Sequence, residues 1–175
     1  MSALPQKIYP VVDTARWVNR LGAAGARFIQ LREKNLEGEA LLAEIKQAHA
    51  YAKQHGVCLV LNDYWQRALD EGIEYIHLGQ EDLDTADLEA VRKAGIRFGL
   101  STHCHEELDR ALSFKPDYVA LGPIWPTRLK KMAFGPQGVE KLTEWKKLIG
   151  DLPLVAIGGI TFERLRACLD AGADS

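Results

Sequence analysis

The stretch Gly56-Val57-Cys58-Leu59-Val60-Leu61-Asn62-Asp63 decides the fold. A segment with helical periodicity ends at a glycine, a short apolar run follows, and polar residues come directly after the run. Glycine takes the left-handed conformation that ends a helix without steric cost. The order therefore reads helix, joint, strand, and then a polar cluster at the carboxyl end of the strand.

The same unit recurs along the chain. Gly25-Ala26, Gly72-Ile73, Gly95-Ile96 and Gly172-Ala173 repeat the joint. Gln30-Leu31-Arg32-Glu33-Lys34, Gly79-Gln80-Glu81-Asp82, Ser101-Thr102-His103, Pro126-Thr127-Arg128-Leu129-Lys130 and Gly158-Gly159 repeat the cluster. Strands are predicted over Ile8 to Val12, Arg27 to Leu31, Cys58 to Leu61, Tyr75 to Leu78, Arg97 to Leu100, Tyr118 to Leu121 and Leu154 to Ile157. Between them lie apolar helical stripes: Trp17, Leu21 and Ala24 behind Asp13; Leu41, Ile45, Ala48 and Ala52; Leu88 and Val91; Leu108, Ala111 and Leu112; Leu142, Trp145 and Ile149; Leu165, Cys168 and Leu169. Asp63, Thr85 and Thr161 are the expected helix N-caps.

Strict alternation of seven βα units with no linker or break in composition predicts an α/β protein of the (β/α)8 TIM barrel class rather than an open doubly wound sheet. One barrel domain over 1–175 is expected. Strand eight and the final helix are absent from the pattern, which stops at Ser175 just after the Gly172-Ala173 joint, so the expected barrel is incomplete at its C-terminal end.

Composition bounds the function. A chain of 175 residues, 47% apolar and 26% charged, can bury a sizeable core. A formal charge of -2 gives no electrostatic reason for a nucleic-acid or membrane partner. Cys58, Cys104 and Cys168 are odd in number and widely spaced, which argues against a disulfide framework or zinc ribbon and leads us to expect a cytoplasmic protein. No apolar run approaches the roughly 20 residues that span a bilayer, and Met1 to Lys7 lacks the apolar core of a signal peptide.

In α/β enzymes the carboxyl ends of the strands carry the active site. Asp63 and Asp82, taken singly, read as helix caps. Together, at the ends of adjacent strands and flanked by Asn62 and Gln80, they match a Mg2+ site completed by phosphate oxygens and water. Lys34 and Lys130, singly surface charges, share that edge and suit a pyrophosphate. Gly158-Gly159 reads as a tight turn or as a phosphate loop, with Thr161 opening the next helix. His103-Cys104-His105 lacks a second ligand pair at zinc spacing, His77 lies within a strand, and no nucleophile triad presents itself.

The segments Gln30 to Lys34, Leu61-Asn62-Asp63, His77 to Asp82, Leu121-Gly122-Pro123-Ile124-Trp125-Pro126-Thr127 and Ala156 to Ile160 together resemble those of the thiamin-phosphate synthase family, in order from about Tyr9 to Ser175. The resemblance implies a transferase that joins hydroxymethylpyrimidine diphosphate (HMP-PP) to hydroxyethylthiazole phosphate, with Mg2+, to give thiamin phosphate and pyrophosphate. It implies that Gln30, Leu31, Arg32, Glu33, Lys34, Asn62, Ser101 and Lys130 meet HMP-PP, that Lys34, Lys130 and Ser101 serve catalysis, and that Asp63 and Asp82 hold Mg2+. Thr127, Arg128, Leu129, Gly158 and Gly159 fall where the family binds the thiazole phosphate. Partners would be these small phosphorylated molecules and, as an open alternative, a second copy of the chain. The chain departs from the family at Leu129, where the usual Pro-Thr-x-Thr-Lys has threonine, and at its end, where the family has a serine-containing phosphate loop. A non-catalytic thiazole-phosphate binder related to the thiazole tautomerases is the alternative, although such relatives generally lack the full lysine and aspartate set kept here.

Overall fold

The computed structural model describes residues 4–127 and 134–175. Seven parallel strands and seven α-helices alternate among the described residues, and strand order follows chain order from β1 to β7. The chain divides into two compact units, Pro5–Phe98 and Gly99–Ser175.

Pro5–Phe98 contains β1 (Val11–Val12), α1 (Ala15–Ala23), β2 (Phe28–Leu31), α2 (Gly38–His55), β3 (Cys58–Asn62), α3 (Trp65–Glu71), β4 (Tyr75–Leu78), a 3-10 turn (Asp82–Asp84) and α4 (Leu88–Lys93). Val11 is in register with Gln30, Leu31 with Leu61, and Asn62 with His77. Every residue of β2 and β4 is buried, as expected for a parallel sheet covered on both faces. The joints at Gly56 and Gly72 have φ of 63° and 65°, the left-handed closure predicted for them.

Local chemistry accounts for three departures from prediction. The first strand is only two residues long. Pro10 just before it has no N–H to give a ladder, although its carbonyl still accepts from Gln30 N at 2.9 Å. On α1 the buried face is Ala15, Val18 and Gly22, while Trp17 is exposed under the Arg20 guanidinium, 5.0 Å from its ring centroid. The cap of α4 is Asp87, whose carboxylate accepts from Ala90 N at 2.9 Å, and not Thr85.

Gly99–Ser175 contains most of β5 (Arg97–Thr102), then α5 (His105–Ser113), β6 (Tyr118–Leu121), α6 (Val139–Ile149), β7 (Leu154–Ala156) and α7 (Phe162–Asp170). Ser101 is in register with Ala120, and Leu121 with Ala156. The buried Trp145 donates from Nε1 to Thr102 Oγ1 at 2.9 Å, and that hydroxyl donates to Ala120 O at 2.9 Å, so the largest core side chain is also hydrogen-bonded. After the Gly172-Ala173 joint the chain runs alongside β7. Ser175 N donates to Leu154 O at 3.3 Å and Ala156 N donates to Ser175 O at 2.8 Å, the bonding pattern of a parallel neighbour.

Candidate functional site

In Pro5–Phe98 the polar residues at the exits of β2, β3 and β4 meet. Lys34 forms an ion pair with Asp63. Asp82 Oδ2 accepts from Gly79 N at 2.7 Å, which turns its carboxylate back over the exit of β4. Burial raises the Asp82 carboxyl above its usual range, and the neighbouring Asp63 carboxylate raises it further. The two acids expected to act together do lie together, and one lysine balances part of their charge.

Asp63 is not the N-cap that its position suggested. Tyr64 occupies the cap of α3, and Asp63 sits one residue earlier with φ of 65°. Its N–H donates to His77 O at 2.9 Å and its carbonyl accepts from Trp65 N at 2.8 Å, so the backbone on both sides holds it there. A non-glycine residue in the left-handed region costs on the order of 1 kcal/mol, and such positions concentrate at functional sites. The conformation frees the carboxylate from capping α3 and gives it to Lys34.

Residues of β2 and of the loop after it are held by hydrogen bonds and stacking. Gln30 Nε2 donates to Tyr9 OH at 2.9 Å, and Tyr9 stacks on Phe28 with ring centroids 3.9 Å apart. Glu33 is buried and accepts from the N–H groups of Asn35 and Leu36, and its own carbonyl accepts from Tyr64 OH at 3.2 Å. The loop after β2 is thereby shaped by Glu33, while the half-buried Arg32 makes no ion pair or side-chain hydrogen bond with any other described residue. Asn62 is 5% exposed, and its side-chain amide likewise bonds to no other described residue. The amide itself keeps access to solvent, so water or a ligand can complete its hydrogen bonds.

No group of three or more His, Cys, Asp or Glu side chains able to hold a metal occurs among the described residues. Mg2+ does not need one, because it is commonly held by one or two carboxylates together with substrate phosphates and water. Asp63 and Asp82, which repel each other and share Lys34 among the described residues, fit that donor set.

In Gly99–Ser175, Ser101 lies inside β5 rather than after it, because that strand extends to Thr102. Thr127 is half-exposed at the end of the segment after β6. The segment and the β7 exit are joined by backbone: Ile124 N donates to Ile157 O at 2.9 Å and Trp125 N to Gly158 O at 3.0 Å. Gly158 and Gly159 have φ of 96° and 65°. A Cβ on Gly158 would lie 2.6 Å from Pro123 Cα, and one on Gly159 would lie 2.6 Å from Pro126 O, so glycine is required for space as well as for conformation. Arg128, Leu129 and Lys130 lie outside the described residues.

His103 and His105 are each engaged by a carboxylate, Nδ1 of His103 with Glu107 Oε2 and Nε2 of His105 with Glu144 Oε1, both at 2.7 Å. Sequence reasoning missed Tyr9, which accepts from Gln30 within β2, Tyr64, which holds the loop after β2, and Arg164, which donates to Gly159 O at 2.6 Å. The tyrosines lie in no motif. Arg164 had a signal, a cation in the first turn of a helix where the dipole disfavours it.

The scaffold is a parallel α/β fold whose strand exits carry paired acids and a lysine in one unit and a glycine turn in the other. The chain belongs to the thiamine monophosphate synthase family, whose model matches residues 6–175. It is 53% identical to a thiamine-phosphate synthase of Rhizobium etli over 167 residues, covering 95% of this chain and 82% of the relative. A thiamine-phosphate synthase of Neisseria meningitidis is 50% identical over 171 residues, covering 98% of this chain and 83% of the relative. Among solved structures, a thiamine phosphate pyrophosphorylase from Pyrococcus furiosus superposes with a TM-score of 0.81 at 25% identity, covering 95% of this chain and 81% of that one. The fold is therefore of the (β/α) barrel class expected from the repeated unit, with seven strands among the described residues.

Proposed function

We propose that the chain, a transferase of thiamin biosynthesis, joins HMP-PP to hydroxyethylthiazole phosphate by a dissociative substitution assisted by Mg2+. The C–O bond to pyrophosphate breaks, the electron-rich pyrimidine stabilises the methylene cation, and the thiazole nitrogen closes the new C–N bond. Such a step needs a neutralised leaving group and two aligned substrates more than a general base.

The residues divide that work. Arg32, Lys34 and Lys130 meet the charge of the leaving pyrophosphate. Asn62, Gln30 and Ser101 orient the pyrimidine substrate, with Gln30 braced by Tyr9. Thr127 and the Gly158-Gly159 turn take the thiazole phosphate, and Arg128 and Leu129 flank that subsite. Asp63 and Asp82 hold Mg2+, which supplies further positive charge to the pyrophosphate. The proximity of Asp82 to Asp63 beside Lys34 carries this reading, because two carboxylates at strand exits without a full set of cations call for a divalent ion.

No helix among the described residues is long and apolar enough to cross a membrane. Small soluble substrates fit a cytoplasmic enzyme. The test is to supply both substrates with Mg2+ and measure thiamin phosphate and pyrophosphate. Stoichiometric formation of the two is expected, with loss of turnover on chelation. Binding of thiazole phosphate without product at any Mg2+ concentration would favour the non-catalytic alternative.

A further inference from the structure

At the exit of β7, three successive carbonyl groups are each held by a donor. Ile157 O accepts from Ile124 N, Gly158 O from Trp125 N, and Gly159 O from Arg164 Nη1 at 2.6 Å. In a trans peptide the C=O and the following N–H point in opposite directions. The three bonds therefore turn the N–H groups of Gly158, Gly159 and Ile160 to the other side of the turn, where none donates to another described residue. Successive N–H groups left unbonded on one side of a turn can form an anion-binding concavity.

The first two carbonyls are fixed by backbone, but the third depends on one side chain. We propose that Arg164 is a positioning residue for this turn: it holds the Gly159 carbonyl so that Ile160 N–H joins the two glycine N–H groups facing the substrate phosphate. The proposal rests on the reading of Gly158-Gly159 as the thiazole-phosphate turn. Arg164 occupies the first turn of α7, where a cation is opposed by the helix dipole. That cost is offset by the carbonyl and by the Trp125 ring, whose centroid lies 5.1 Å from the guanidinium carbon. A planar guanidinium can stack on the ring and donate from its edge at the same time, which a lysine ammonium cannot. Arg164 thereby ties the segment that carries Thr127 to the turn that carries Gly159, and it acts on phosphate through the backbone rather than by touching it.

The test is steady-state kinetics of the whole chain with each substrate varied, for Arg164→Met, Arg164→Lys and Thr127→Val. Arg164→Met should raise KM for thiazole phosphate roughly 10-fold while KM for HMP-PP and the melting temperature stay at wild-type values. Arg164→Lys should recover part of the loss, since it can still donate to Gly159 O. The proposal is overturned if Arg164→Met moves both KM values together with a fall in melting temperature, which is the signature of packing alone. It is also overturned, with the subsite reading intact, if Thr127→Val raises KM for thiazole phosphate and Arg164→Met does not. If neither variant moves that KM, the subsite reading itself falls and takes the proposal with it.

Discussion

Two strand exits, one in each unit, solve opposite problems with the same backbone conformation. After β3 the chain turns left-handed at Asp63, and after β7 it turns left-handed at Gly158 and Gly159. The first turn accepts the strain of a non-glycine residue to present a carboxylate beside Asp82 and Lys34. The second excludes any Cβ, because Pro123 and Pro126 fill the space, and presents backbone N–H groups. Side-chain anions suit a cation, and peptide N–H groups suit an anion. Under the proposed reading, strand exits of one fold take ligands of opposite charge according to whether the left-handed residue carries a side chain.

The comparison breaks most sharply at the acids. Asp63→Ala or Asp82→Ala should lower turnover on the order of 100-fold or more, with residual activity less responsive to Mg2+, as read from rates across a Mg2+ titration. The glycine turn should fail in a different way. Gly158→Ala forces a methyl group towards Pro123 in a left-handed conformation and should cost roughly 1–3 kcal/mol of stability, measured by denaturant unfolding. The acid exit already carries a side chain at positive φ, so Asp63→Ala should cost distinctly less by that measure.

Arg32 makes no ion pair or side-chain hydrogen bond with another described residue, so Arg32→Met should raise KM for HMP-PP about 10-fold and leave the melting temperature unchanged. A drop in melting temperature would show that the guanidinium serves the fold. The smallest effect concerns Asp82. Its carboxyl is raised in the folded chain, so the native state holds that proton more tightly than the unfolded chain does. Stability is therefore given away as pH rises from the ordinary carboxylate value through the raised one. Asp82→Asn keeps an acceptor for Gly79 N and removes that dependence. In the absence of Mg2+ its melting temperature should match wild type at low pH and exceed it slightly at neutral pH.

Much of this was legible in the sequence. Alternating apolar runs, helical stripes and glycine joints gave the order of strands and helices, because a parallel sheet covered by helices writes itself in local hydrophobic periodicity. The stripes of α2 and α6 were fully recovered, with Leu41, Ile45, Ala48 and Ala52 buried in one and Leu142, Trp145 and Ile149 in the other. The exposed Trp17 was misplaced because size alone does not fix which face of a short helix turns inward. Aspartate after a strand commonly caps the next helix, and only the bond from Asp63 N–H to His77 O shows why the backbone turns there instead. Tyr9, Tyr64 and Arg164 act across the chain or on backbone atoms, which local patterns do not encode.

The account stands most directly on how the Asp63–Asp82 pair treats Mg2+ and pyrophosphate. Calorimetric titration of pyrophosphate into the wild-type chain and into Asp63→Ala and Asp82→Ala, with and without Mg2+, measures it without turnover. Binding that is strongly enhanced by Mg2+ in the wild type, and no longer enhanced in either variant, is the predicted result. Equal enhancement by Mg2+ in all three proteins would contradict the assignment of these carboxylates to the metal and with it the division of labour between the two turns.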